Sequence, residues 1–87
     1  MATASKKAIS LIEAAINLHE RADVKTLARS TAQTEAVALD AIHALADEGK
    51  CLITREPRRE LRMGRFATIS YLIAVKKEKT NDSTRNN

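Results

Sequence analysis

Aromatic side chains are almost missing from this chain: it has no tryptophan, and Phe66 and Tyr71 are its only phenylalanine and tyrosine. The core must therefore be built from Ile, Leu, Val and Ala, and so thin a core gains from a partner subunit. A sheet platform for stacking single-stranded RNA bases is excluded as well, because Phe66 and Tyr71 fall on opposite faces of one strand pattern. Cys51 is the only cysteine, so neither an intramolecular disulfide nor a cysteine-based metal site can form, and a reducing compartment fits. No apolar run approaches the roughly 18 residues of a membrane span, and Met1 to Lys7 is short and polar. The expectation is a cytoplasmic protein with no membrane partner.

Catalysis finds no footing either. His19 and His43 are distant in sequence, and no glycine-rich phosphate loop or carboxylate pair with a partner base occurs. Cys51 opens a strand pattern where a small buried apolar group is expected, not a nucleophile. The reading is a non-enzyme without metal or cofactor.

Eighty-seven residues make one domain. Ala4 to Glu20 reads as a first helix, N-capped by Ser5, with a wide apolar stripe of Ala8, Ile9, Leu11, Ile12, Ala15, Ile16 and Leu18. Asp23 caps a short second helix, Val24 to Ser30, whose Val24, Leu27 and Ala28 share one face. Thr34 caps a third helix that runs to Glu48, with Glu35 at the positive end of its dipole and Gly49 as its stop. Lys50 to Glu56 and Phe66 to Val75 are rich in β-branched and apolar residues, and Pro57, Gly64 and four arginines lie between them. The pattern predicts a two-stranded hairpin with a long basic loop, and the alternation Ala67, Ile69, Tyr71, Ile73, Val75 predicts that these odd positions face the core. The expected organisation is a domain over 1–75 and a flexible polar tail over 76–87, where Lys76, Lys77 and Lys79 add solubility or nonspecific affinity.

Charge is divided unevenly along the chain. Fifteen basic against eleven acidic residues give a net +4, compatible with nucleic acid. Yet Ala32 to Glu48 holds no lysine or arginine and carries Glu35, Asp40, Asp47 and Glu48, while Arg55, Arg58, Arg59, Arg62 and Arg65 crowd the segment after it.

Helix, short helix, turn, long helix and hairpin is the order of a winged helix-turn-helix. The run Val24-Lys25-Thr26-Leu27-Ala28 resembles the opening of that superfamily's helix-turn-helix, and Ala41 to Lys50 resembles its passage from recognition helix into wing. The resemblance spans residues 8 to 75 and implies an α+β, mostly helical fold: three helices followed by a two-stranded β-hairpin wing. Two departures fall in the turn, where Ala32 stands at a position many family members give to glycine and Gln33 at one often given to a small apolar plug. An alanine in a glycine-favoured conformation costs on the order of 1 kcal/mol, which the fold tolerates.

By that resemblance the outward face of the third helix is Glu35, Ala36, Val37, Leu39, Asp40 and His43, which is acid and hydrocarbon where phosphate calls for cations. Either the helix phase slips by one residue and Val37 or Leu39 is core, or the helix is buried twice, against its own core and against another chain. A homodimer is the simplest second partner. Centromere-binding proteins of plasmid partition systems, which are winged-helix dimers, are similar in this pattern.

The wing arginines also read two ways: as a solvated loop with local ion pairs, or as a tip that reaches phosphates or a minor groove. Leu61 and Met63, if exposed, are open to a protein partner. Around the turn, Lys25, Arg29, Ser30, Thr31 and Thr34 lie where helix N-termini bind phosphate.

The reading is a small dimeric protein that binds duplex DNA and acts as a transcription regulator or a DNA partition factor of a bacterium, phage or plasmid. Its DNA contacts are expected from Lys25, Arg29, Thr31, Gln33, Thr34, Arg55, Arg58, Arg59, Arg62 and Arg65, and its dimer or partner contacts from Val37, Leu39, Asp40 and His43. The alternative is a protein-interaction module, an inhibitor or adaptor, that docks through the acidic and apolar third helix.

Overall fold

The computed structural model describes residues 3–77. Three helices, α1 (Lys6–His19), α2 (Val24–Thr31) and α3 (Glu35–Asp47), are joined by three strands, β1 (Arg21–Asp23), β2 (Cys51–Arg62) and β3 (Arg65–Lys76). The strands form one antiparallel sheet in the order β1-β3-β2. The fold is α+β, and its order of elements is compatible with the winged-helix expectation.

Each helix starts where its capping side chain dictates. The Ser5 hydroxyl accepts from Ala8 N, the Asp23 carboxylate from Thr26 N and the Thr34 hydroxyl from Val37 N, so each helix has one of its free amide donors satisfied. Helix α1 ends a residue earlier than its apolar pattern suggests, because Glu20 turns to φ 68° and sends the chain into β1. Ala32 takes the left-handed conformation, φ 56° and ψ 42°, and closes α2. The turn thus has the geometry that glycine would adopt without cost.

The core is aliphatic. Ile12 and Ile16 of α1, Leu27 and Ala28 of α2, and Ala38, Ala41, Ile42 and Leu45 of α3 pack together with Ala22, Cys51 and Ala74 of the sheet. In α3 these positions recur at i, i+3, i+4 and i+7, which is one face of a helix. The helix phase therefore does not slip: Leu39 is exposed, Val37 is half-buried and neither belongs to the core cluster.

Three expectations about the strands need correction. First, the sheet has three strands, because Arg21–Asp23 pairs with Ile73–Val75. Second, there is no long loop: β2 and β3 stay paired from Cys51↔Lys76 to Arg62↔Arg65, and only Met63 and Gly64 turn the chain. Both residues have positive φ, 51° and 79°, as in the two-residue turns whose twist suits a hairpin. Pro57 fits within β2 because that strand is an edge, where a missing amide donor costs no ladder bond. Third, the even positions of β3 face the helices. Ala74 belongs to the core and Leu72 packs against it, beside Cys51 and Ile53 of β2. Ile73, 1% exposed, lies outside that cluster on the opposite face. Lys76 is the last residue of β3, and so not part of a tail. The remainder of the expected tail, from residue 78 onward and including Lys79, lies outside the described residues.

The hairpin projects from this body, and the molecule measures 56 Å in its longest dimension against 29 and 20 Å. Beyond Ile73 no third strand supports β3.

Candidate nucleic-acid interface

Residues directly opposite one another in an antiparallel pair share a face. On the hairpin this places Arg55 (opposite Leu72), Pro57 (Ser70), Arg59 (Thr68) and Leu61 (Phe66) on the face that continues from the helical core. Glu56 (Tyr71), Arg58 (Ile69), Glu60 (Ala67) and Arg62 (Arg65) occupy the other. The two faces treat their arginines differently.

On the face opposite the helical core, the arginines other than Arg65 are tied down. Arg58 Nη1 lies 3.0 Å from Asp23 Oδ2 and its Nε 2.8 Å from Glu56 Oε2, while Arg21 Nη2 lies 2.8 Å from Glu56 Oε1. The Arg58 guanidinium also sits over the Tyr71 ring, 4.7 Å from its centroid. The Tyr71 hydroxyl donates to Glu60, whose other carboxylate oxygen receives Arg62 at 3.0 Å. This chain of contacts braces the hairpin against β1 and the start of α2.

Titration follows from the geometry. Burial alone would raise the Asp23 carboxyl, but hydrogen bonds from Thr26 and Arg58, with the Arg58 charge, hold it below its ordinary value. Arg21 and Arg58 together hold Glu56 down, and Glu56 and Asp23 in turn push Arg58 up. Burial, followed by the negative charge of Glu13, pushes the Cys51 thiol up, which makes it a poor nucleophile.

The face continuous with the core leaves Arg55 and Arg59 exposed and without a carboxylate partner among the described residues. The Arg59 guanidinium stacks 5.0 Å from the centroid of Phe66. Arg65, at the tip, is likewise exposed and unpaired. The tip is also apolar: Leu61 and Phe66 are 62% and 64% exposed, and Met63 wholly so.

Around the helix-turn-helix, the residues expected to touch phosphate divide. Lys25 and Arg29 are exposed. The Thr31 hydroxyl turns inward and donates to Leu27 O at 2.8 Å, Ser30 Oγ pairs with His19 Nε2 at 3.0 Å, and Thr34 is engaged as the α3 cap. Gln33 is half-buried in the turn, its side-chain nitrogen inside and without a partner, where an apolar plug would fit. Of the residues expected at an interface, Leu39 and His43 are exposed and Val37 half-buried, whereas Asp40 is half-buried and accepts from Ala4 N at 2.7 Å. Asp40 thus ties the chain ahead of α1 to α3.

Two features escaped the sequence reading. One is the brace on the hairpin, which needs β1, a strand of three residues too short to show a pattern. The other is a second apolar surface, where Leu11, Ala14 and Leu18 follow one another at helical spacing on the outer side of α1, with Leu18 80% exposed. Its signal was the width of the α1 stripe, which holds more apolar positions than one buried face can use. Among the described residues no three His, Cys, Asp or Glu side chains gather as metal ligands, and no helix is long and apolar enough to cross a membrane.

No family model and no curated protein matches the chain. Among solved structures it is similar to Stf76 from the Sulfolobus islandicus plasmid-virus pSSVx, with 20% sequence identity and a TM-score of 0.55 over 86% of this chain and 87% of that one. At that identity the likeness is one of fold: a protein of comparable size shares this arrangement of helices and sheet.

Proposed function

We propose that the chain is a winged-helix protein that binds duplex DNA with its hairpin and the amino-terminal end of α3, and that it works as a homodimer in regulating or organising DNA. The observation that carries this reading is the division of the hairpin arginines. Arg58, with Arg21 of β1, is spent on fixing the hairpin to the body and Arg62 pairs with Glu60, which leaves Arg55, Arg59 and Arg65 without a carboxylate partner among the described residues, on a held ribbon. Cations on a positioned scaffold meet phosphates with less ordering cost than cations on a mobile loop. Lys25 and Arg29 extend the positive surface along α2, while α3 presents Glu35 and contributes no cation. Affinity then comes from phosphate contacts, and selectivity from groove shape.

Fluorescence anisotropy with a labelled duplex of mixed sequence, titrated across salt, tests this. Wild-type binding should weaken steeply as salt rises, through release of counterions. Arg55→Ala, Arg59→Ala and Arg65→Ala combined should flatten the log–log salt slope by about 2.7 if each contacts one phosphate. Absence of binding at low salt would remove the proposal.

A second reading, a protein-docking module, draws on the exposed Leu39 beside the acids of α3. It predicts that Leu39→Asp abolishes capture of a partner while the arginine variants leave capture intact.

A further inference from the structure

The hairpin tip departs from what folding alone would place there, in three ways. Met63 occupies a left-handed position, φ 51°, in a turn that favours Asn, Asp or Gly, and it is fully exposed. Leu61 and Phe66 stand opposite one another as an exposed apolar pair, far from any core residue that could cover them. Arg62 and Arg65 stand opposite one another on the other face, a like-charge pair that disfavours the hairpin. Of these two arginines Glu60 reaches only Arg62, at 3.0 Å. A polyanion close to the tip would relieve the charge pair, and an apolar cleft between stacked rings would take the three hydrocarbon side chains.

We infer that the tip is a wedge: Leu61, Met63 and Phe66 enter a base step of duplex DNA from the minor groove and partly unstack it, while Arg59, Arg62 and Arg65 hold the flanking phosphates. This rests on the DNA-binding reading and specifies its mode. Apolar wedges that part a base step kink the duplex by roughly 20–90° toward the major groove. The ribbon has the build for that work. It is paired to its last residue, turned by only Met63 and Gly64, and braced midway along β2 by Arg58 against Asp23. Arg59 keeps Phe66 in place by lying over its ring. Pyrimidine–purine steps such as TA unstack most readily, so the wedge selects deformable sequence without reading base edges.

The chain contains no tryptophan, so Phe66→Trp places one indole reporter at the tip of the full-length protein. Two duplexes are compared, alike except for a central TA step or an unbroken A-tract, each with 2-aminopurine beside the centre and a donor–acceptor dye pair at its ends. Wedge insertion predicts a rise in 2-aminopurine emission, a shortened end-to-end distance, and a tryptophan quenched on binding and shielded from acrylamide, all stronger with the TA duplex. Leu61→Ser, Met63→Ser and Phe66→Ser combined should lose the bend and about tenfold in affinity, since each stacked base is worth on the order of 1–3 kcal/mol, while keeping the wild-type salt slope. These side chains are exposed, and circular dichroism of each variant checks that the fold is intact. Salt-sensitive binding by the wild type with straight, stacked DNA overturns the wedge and leaves the DNA-binding reading standing. No binding to either duplex overturns both. A tryptophan shielded by anionic phosphatidylglycerol vesicles but not by DNA overturns the wedge in favour of a lipid surface.

Discussion

Arg58 Nη1 and Asp23 Oδ2 meet at 3.0 Å across 35 residues of sequence and join the middle of β2 to the capping residue of α2. One carboxylate thus does two tasks, since its other oxygen accepts from Thr26 N at 2.8 Å. The tasks separate by substitution. Asp23→Ala, which loses both, should destabilise the fold by about 1–2 kcal/mol, within the range for removing a helix cap. Asp23→Asn keeps a good cap and gives up the charge, so it should cost less. Urea denaturation of both variants gives the order; equal losses would mean that the ion pair, not the cap, dominates.

Acid should loosen the hairpin before it unfolds the body. Asp23 and Glu56 are held below their ordinary values of 3.8 and 4.5. Carboxyls depressed in the folded state contribute stability that is complete above those ordinary values and is lost as pH falls through the lower, folded ones. Hydrogen exchange of β2 and β3 amides should therefore quicken at a higher pH than exchange in α1. Glu56→Gln should remove part of that difference, and its persistence unchanged would count against the brace.

Met63→Asn is expected to raise stability and lower function together. Asn tolerates the left-handed conformation that costs other residues roughly 1–2 kcal/mol, so a gain of up to about 1 kcal/mol in thermal denaturation is expected. The same variant should lose DNA bending, whereas an equally stable variant that bends DNA as the wild type does would show the methionine to be dispensable.

Cys51 should resist thiol reagents in the native state. Its side chain is 2% exposed, its sulfur faces Ile42 O at 3.7 Å, and burial keeps the thiol protonated. Reaction with an aromatic disulfide should track the rate of unfolding, and immediate labelling would place Cys51 at the surface.

Two exposed apolar surfaces compete for the contact of the proposed homodimer. Sedimentation of Val37→Asp with Leu39→Asp, beside Leu11→Lys with Leu18→Lys, should show which pair yields a monomer. The α1 stripe is the more exposed, with Leu18 80% and Leu39 37% accessible. A monomer in the wild type at all concentrations would withdraw the homodimer from the proposal.

The helices were legible because their signals are local. Ser5, Asp23 and Thr34 mark three starts by hydroxyl or carboxylate, whereas the apolar residues around α3 allowed two phases, which the packing of Ala38, Ala41, Ile42 and Leu45 decides. The strands were not, for reasons that particular residues make plain. Arg21–Asp23 is a strand only because Ile73–Val75 lies beside it. Pro57 and the arginines look like loop chemistry, yet an edge strand in solvent accepts both. The core face of β3 was misread because Ile73 and Ala74 are both buried in the central strand, so alternation fades where it is most needed. As for the candidate site, the sequence located the arginines but not their division of labour, which depends on where Asp23 and Glu56 lie in space.

Beyond its contact with β1, the hairpin offers bare strand edges to solvent on both sides, a template on which a second copy could pair strand to strand. Pro57 interrupts one edge, and the arginines that suit the ribbon to a polyanion also make two ribbons repel. That repulsion is electrostatic and fades with ionic strength. Concentrated salt should therefore turn the projecting hairpin into a sticky arm.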